Sequence, residues 1–268
     1  MEHFVWNIDP NIFKYGAIQL RWYGVLFVTS FFIGLEIMKW IYRREGKNPA
    51  VLENFLVYVI IGAVVGARLM HCFAYEPDYY LSHPMEILYV WKGGLASHGG
   101  MLGVIIALYF FARRHQESFW WMISRATLPG MVTAAFVRIG NFFNSEILGL
   151  KTDVSWAVIF SRIDNYPRHP VQLYEATAYF LILGLLLWLY RRSTFAFATK
   201  ILPGAFLSLL FTARFLLEYT KTEQADYATT LPFTVGQMLS VPFVLLGILW
   251  VIWAFGSTAK AVRWQRTH

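Results

Sequence analysis

Hydrophobic positions in this chain gather into long blocks parted by short polar runs. They do not follow the two-residue alternation of a half-buried strand or the one-sided stripe of a surface helix. Seven blocks stand out, at 23–41, 51–73, 95–112, 120–137, 171–190, from just after Lys200 to 219, and at 233–255. Each is close to the roughly 20 residues that an α-helix needs to cross about 30 Å of hydrocarbon. The pattern predicts an all-α integral membrane protein with seven transmembrane helices. The longest polar stretch, about 141–168, predicts a small extra-cytoplasmic head segment between spans four and five. The rest of 1–268 reads as a single seven-span membrane domain with no internal repeat, which argues against a transporter built from inverted repeats.

Composition agrees with the pattern. Hydrophobic residues make up 57% of the chain and charged residues 15%, against about 25% charged in a soluble domain. The net charge of +7 raises the question of nucleic acid, and its distribution answers it. Arg43, Arg44 and Lys47 follow the first block, Arg113 and Arg114 the third, Arg191 and Arg192 the fifth, and Lys260, Arg263 and Arg266 the seventh. Acidic Glu76 and Asp78 follow the second block, and Glu223 and Asp226 the sixth. Alternating spans put every basic cluster on one side, so the amino terminus is expected outside and the carboxyl terminus in the cytoplasm. The partners this predicts are membrane lipids and not nucleic acid. The first 20 residues lack the pattern of a cleavable signal peptide.

The chemistry available is narrow. Cys72 is the lone cysteine, which leaves no internal disulfide and no CxxC site. The histidines show no HxxxH or HExxH spacing and the aspartates are scattered, so no metal and no cofactor are expected. That scatter also counts against a CDP-alcohol phosphatidyltransferase, whose chemistry needs clustered metal-binding aspartates. Most of the 11 Trp and 15 Tyr fit an interfacial belt.

Ionisable groups inside spans are expensive and point to function. They occur here as Arg68 with His71, as His98, in the stretch from Arg138 to Glu146, and as Arg214 with Glu218. The expected topology puts them toward the outer ends of their spans, where they can converge. Arg214 and Glu218 are four apart and share a helix face. Either they form an intrahelical ion pair, or Arg214 is aimed at an anion and Glu218 orients it. An arginine fork suits a pair of phosphate oxygens. Arg138, Asn141, Asn144 and Glu146 fall within nine residues, more polar groups than a capped helix end requires. His98 can exchange a proton at neutral pH, and Gly99 and Gly100 beside it allow close approach. Gly62 and Gly66 read as a helix-packing face. Arg68 is divided between the anion site and an ion pair with Glu76 or Glu86.

The run Arg138-Ile-Gly140-Asn141-Phe142-Phe-Asn144-Ser-Glu146-Ile-Leu-Gly149 resembles the signature of the phosphatidylglycerol–prolipoprotein diacylglyceryl transferase family. The resemblance extends over nearly the whole chain. It includes Arg21-Trp-Tyr23-Gly24, His98-Gly99-Gly100, His169-Pro170-Val-Gln172-Leu-Tyr174-Glu175, Arg214 with Glu218, and Gly236-Gln237-Met-Leu-Ser240. The chain departs from the family pattern at Val137, Ser97, Leu210 and Ser124, which keeps a non-catalytic or altered-specificity lipid-binding paralogue in view beside a less favoured anion transporter. The resemblance implies an enzyme of the bacterial cytoplasmic membrane with two substrates. These are phosphatidylglycerol and a prolipoprotein whose lipobox cysteine still carries its signal peptide. It implies catalytic roles for His98, Arg138, Arg214, Glu218 and Glu146. Substrate-binding roles fall to Tyr23, Arg68, Asn141, Asn144, Gly99, Gly100 and Gly149. The proton acceptor is left between His98 and Glu146.

Overall fold

The computed structural model describes 3–16, 18–222 and 233–267; Glu223 and Asp226, expected to form an outer acidic stretch, lie outside the described residues. A helix lies over each of the seven apolar blocks. They are α1 (Trp22–Arg44), α2 (Phe55–Met70), α4 (Ser97–Arg114), α5 (Phe119–Asn144), α6 (Val171–Arg192), α7 (Phe195–Leu217) and α8 (Val235–Thr267), with a short α3 (Pro77–Ser82) between α2 and α4. Five of the seven are long and apolar enough to cross a membrane by length and composition: α1, α2 with its flanking turns, α6, α7 and α8. The polar freight of the other two is plain in the sequence. His98 and two glycines open α4, and α5 carries Arg125 and Arg138. The protein is thus mostly helical, with several membrane-length apolar helices.

Short strands, which no alternating pattern announced, complete the fold. They are β1 (Phe4–Trp6), β2 (Asn11–Tyr15), β3 (Ile18–Arg21), β4 (Val158–Phe160) and β5 (Pro167–Arg168). β2 and β3 form a hairpin. β1 pairs in parallel with β4, which pairs antiparallel with β5. Phe142, Val158 and Phe160 form a buried core under this sheet, with Trp6 and Leu148 packed against it. The polar stretch expected as a head segment therefore has a hydrophobic centre of its own.

The chain divides into two compact units, Met1–Gly34 with Thr127–His268, and Leu35–Ala126. The second unit is built on α2 and α4, which meet through glycine. A Cβ on Gly62 would stand 2.6 Å from both Ala107 Cβ and the Gly103 carbonyl oxygen. One on Gly66 would strike the Gly99 carbonyl, and one on Gly103 the Gly62 carbonyl. The expected packing face is present, and backbone lies directly on backbone, as small residues allow between membrane helices. The same unit buries Arg125, which meets Glu45 at 2.7 Å, and Glu45 also accepts from the Trp121 indole at 2.7 Å. A charge taken so far from water persists only when paired in this way.

Candidate active site

The first unit assembles most of the expected residues. Arg138, Asn141 and Asn144 are spaced by three along the last turns of α5, so they share one face. The helix ends at Asn144, and the chain turns sharply around Glu146: both Ser145 and Ile147 have φ of +55°. For a β-branched isoleucine this is a real departure from allowed backbone. Such strain costs of order 1–3 kcal/mol and persists where the surroundings enforce it. Here the Glu146 amide donates to the Asn141 carbonyl at 2.9 Å, and the Gln172 side chain donates to the Glu146 carbonyl at 2.5 Å.

The Glu146 carboxylate is thereby held out, exposed, between two amides. Asn141 Nδ2 donates to Oε2 at 3.0 Å and Asn144 Nδ2 to Oε1 at 3.1 Å. Arg138 Nη1 in turn reaches Asn141 Oδ1 at 3.5 Å. Tyr23, at the start of α1, lays its ring against Gly140, where a Cβ would come within 2.7 Å of the ring. There it stands within electrostatic reach of Glu146 and Arg138. Gly149 does not face open space. A Cβ there would press on the His169 carbonyl and the Val171 side chain, and its backbone pairs with Lys221. Glycine at this point is a requirement of backbone packing.

Two residues absent from the sequence-derived set occupy the centre. Glu175, on α6 and wholly buried, receives Arg138 Nε at 3.1 Å on Oε2 and Lys221 Nζ at 2.9 Å on Oε1. Lys221 Nζ also meets Glu218 Oε2 at 3.0 Å. Of the two readings of Arg214 and Glu218, the intrahelical ion pair is not formed among the described residues. Among the described residues Glu218 pairs with Lys221, and its carboxylate presses on Gly236 at the start of α8. Arg214, like Arg138, lies within electrostatic reach of Tyr179. Tyr179, on α6, donates its hydroxyl to Glu175 Oε1 at 3.4 Å. Glu175 was readable only as the last letter of a motif. Lys221 follows the sixth block and reads as one more loop cation, so nothing local marked it.

The second unit places the remaining candidates. Arg68, 3% exposed, is taken up by main-chain carbonyls. Nε donates to the Ile87 carbonyl at 3.0 Å and Nη2 to that of Glu86 at 2.5 Å. Nη1 donates to Gly93 at 2.7 Å and to Gly94 at 3.2 Å. The guanidinium also lies over the Tyr80 ring. It therefore staples both ends of the 86–94 loop to α2. His71 pairs with Glu76 at 3.4 Å and crowds Gly94, whose φ of +71° suits glycine. His98 is exposed in the first turn of α4. Gly99 is buried against Met70 and the Gly66 carbonyl, and Gly100 approaches the α2 backbone at Ala63. These two glycines serve helix packing. No three His, Cys, Asp or Glu side chains among the described residues are grouped to hold a metal ion.

Several membrane-length helices, together with the polar centre of the first unit, define a multi-pass helical membrane protein. The chain belongs to the prolipoprotein diacylglyceryl transferase family, whose sequence model matches residues 10–253. It is similar to the phosphatidylglycerol–prolipoprotein diacylglyceryl transferase of Chloroherpeton thalassium, at 51% identity over 92% of this chain and 93% of that one. The protein of the same name from Tolumonas auensis is 53% identical over 91% and 95%. That of Bacteroides fragilis is 36% identical over 96% and 97%.

Proposed function

We propose that this protein transfers the diacylglyceryl group of phosphatidylglycerol to the thiol of a prolipoprotein lipobox cysteine. The reading is supported by family membership across nearly the whole chain. The observation that carries it is the polar cluster at the end of α5, where Arg138 is paired with the buried Glu175 carboxylate and neighbours Asn141, which with Asn144 holds Glu146. In the reaction the cysteine sulfur attacks the glyceryl carbon attached to phosphate. A carbon–sulfur bond forms, the carbon–oxygen bond breaks, and the bonding pair leaves with sn-glycerol-1-phosphate. The thiol proton passes to a base.

Each step has a chemical demand. The leaving phosphate gains charge, and preorganised donors stabilise it; one such donor contributes about 3–4 kcal/mol. Arg138 and Arg214 fill that role, with Asn141 and Asn144 as neighbouring amides. A thiol with a pKa of about 8.5 is mostly protonated at neutral pH, so a base contributes as well. His98 and Glu146 are the two candidates. Glu146 is exposed, fixed by two amides and framed by strained backbone. It serves either as that base or as the group that binds the glycerol hydroxyls. Tyr23 lines the lipid or signal-peptide side of Glu146.

The topology that suits this chemistry is seven spans in the bacterial cytoplasmic membrane. The amino terminus and the 141–168 head would lie outside, and the basic clusters at the carboxyl ends of α1, α4, α6 and α8 inside. Incubation of purified protein with phosphatidylglycerol and a lipobox peptide tests the reading. Transfer appears as a diacylglyceryl mass gain on the peptide cysteine with stoichiometric glycerol phosphate, both lost in Arg138→Ala. A folded protein that yields neither product sinks it.

A further inference from the structure

Lys221 is the least expected member of the polar centre. Its side chain is 6% exposed and meets two carboxylates, Glu175 Oε1 at 2.9 Å and Glu218 Oε2 at 3.0 Å. Its backbone is fixed on both sides. The Leu150 amide donates to the Thr220 carbonyl at 2.9 Å, and the Thr222 amide to the Leu148 carbonyl at 3.1 Å. An ammonium taken this far from water has to be paired. The pairing also has a consequence for the two arginines.

Carboxylates and phosphates compete for the same guanidinium fork, and the strong form of either pairing is bidentate. Glu175 is buried beside Arg138 and could take its fork with both oxygens. No hydrogen bond joins them: Lys221 Nζ and the Tyr179 hydroxyl both lie on Oε1, and Oε2 meets Arg138 only as an ion pair, 3.1 Å from Nε. The Nη1 edge of Arg138 is left facing Asn141. Glu218 stands four residues after Arg214, a spacing that favours an ion pair. That pair is also not formed, and Glu218 lies on Lys221 instead. One lysine thus occupies both carboxylates that would otherwise capture the arginines.

We propose that Lys221 is a positioning residue of the anion site, a built-in counter-cation that keeps Arg138 and Arg214 available to the phosphate of an anionic phospholipid. The inference rests on the reading that this site takes the phosphate of phosphatidylglycerol. It goes beyond that reading in assigning a role to a residue that need not touch the lipid. Without Lys221, Glu175 closes on Arg138 and Glu218 on Arg214, and the lipid has to displace both.

The test uses full-length purified protein in mixed micelles, with initial rates measured against the mole fraction of phosphatidylglycerol. Lys221→Met is expected to raise KM for the lipid at least tenfold, with a smaller fall in kcat. Lys221→Arg, which keeps the cation, is expected to hold KM within threefold of wild type. A merely structural lysine would lower kcat through lost active protein and leave KM alone, so a KM change under tenfold in Lys221→Met overturns the proposal. If Lys221→Met does not fold, Glu175→Gln/Lys221→Met carries the test, since it removes a buried charge pair together. In that protein Glu218 can still close on Arg214, so a KM at least tenfold above wild type that returns to within threefold when Glu218→Gln is added supports the proposal, and a KM under tenfold, or one that Glu218→Gln does not lower, overturns it. Native mass spectrometry of bound phosphatidylglycerol separates this inference from the transferase reading. A wild-type protein that binds the lipid without transferring it sinks the latter, and Lys221 is then judged on whether Lys221→Met loses the bound lipid.

Discussion

Arg138 on α5 and Glu175 on α6 form an ion pair, Nε to Oε2 at 3.1 Å, without a hydrogen bond between those atoms, with the carboxylate fully buried and the arginine side chain 13% exposed. A guanidinium held on its Nε side is aimed without being consumed. This geometry makes Arg138 the most informative position to change. Arg138→Ala should lower glycerol phosphate release by about 10²–10³, the loss typical of one preorganised donor at a developing anion. Arg214→Ala should fall in the same range. Arg138→Lys should recover little of it, because a point charge does not replace a fork.

His98→Gln should slow transfer at saturating substrate by about 10²–10⁴ if the imidazole takes the thiol proton. The variant keeps a polar side chain of similar size at the exposed start of α4, so folding should not change. Near-native turnover in this variant would move the proton to Glu146.

Arg68→Lys removes the fork that binds four carbonyls of 86, 87, 93 and 94. One ammonium cannot span both ends of that loop. Amide hydrogen exchange across 86–94 should quicken at least tenfold, with α5 and α6 unaffected. Unchanged exchange in the loop would show that the staple is dispensable.

Acid should loosen the segment between α5 and α6 before the helices. Hydrogen bonds from Arg168 hold the Asp164 carboxyl below its ordinary range, aided by the Tyr166 amide and opposed by slight burial. A depressed carboxyl stabilises the fold above the unfolded value of about 4 and loses that contribution as pH falls through the folded value. Exchange at 164–168 should therefore rise on acidification below about pH 4. Asp164→Asn should show the fast exchange already at neutral pH.

Cys72 is buried and free, and the substrate brings its own thiol. Cys72→Ala should keep transfer within about twofold of wild type in the same peptide assay, since it removes little volume from the core. A dead variant that still folds would require a covalent intermediate on this protein.

The helices were legible because block length and terminal charge are local properties, and α1, α6 and α7 all end or begin within a few residues of the expected limits. The strands were not. β1 and β4 are three residues each, too short for an alternation, and their partners lie more than 150 residues apart. Among site residues, the α5 cluster was readable from spacing because Arg138, Asn141 and Asn144 share one helix face. Arg214 with Glu218 shows where spacing misleads. The i,i+4 offset allows a pair, and a lysine just past the helix end takes the carboxylate first. Arg68 fails differently: its partners are main-chain carbonyls, which every residue carries and no sequence advertises.

The glycine contact between α2 and α4 has a consequence for traffic. Where a Cβ on Gly66 or Gly103 would already collide with the opposing backbone, a methylene chain cannot pass. Between Gly62 and Gly66 on one side and Gly99 and Gly103 on the other, the seam is a closed wall to any chain of that width.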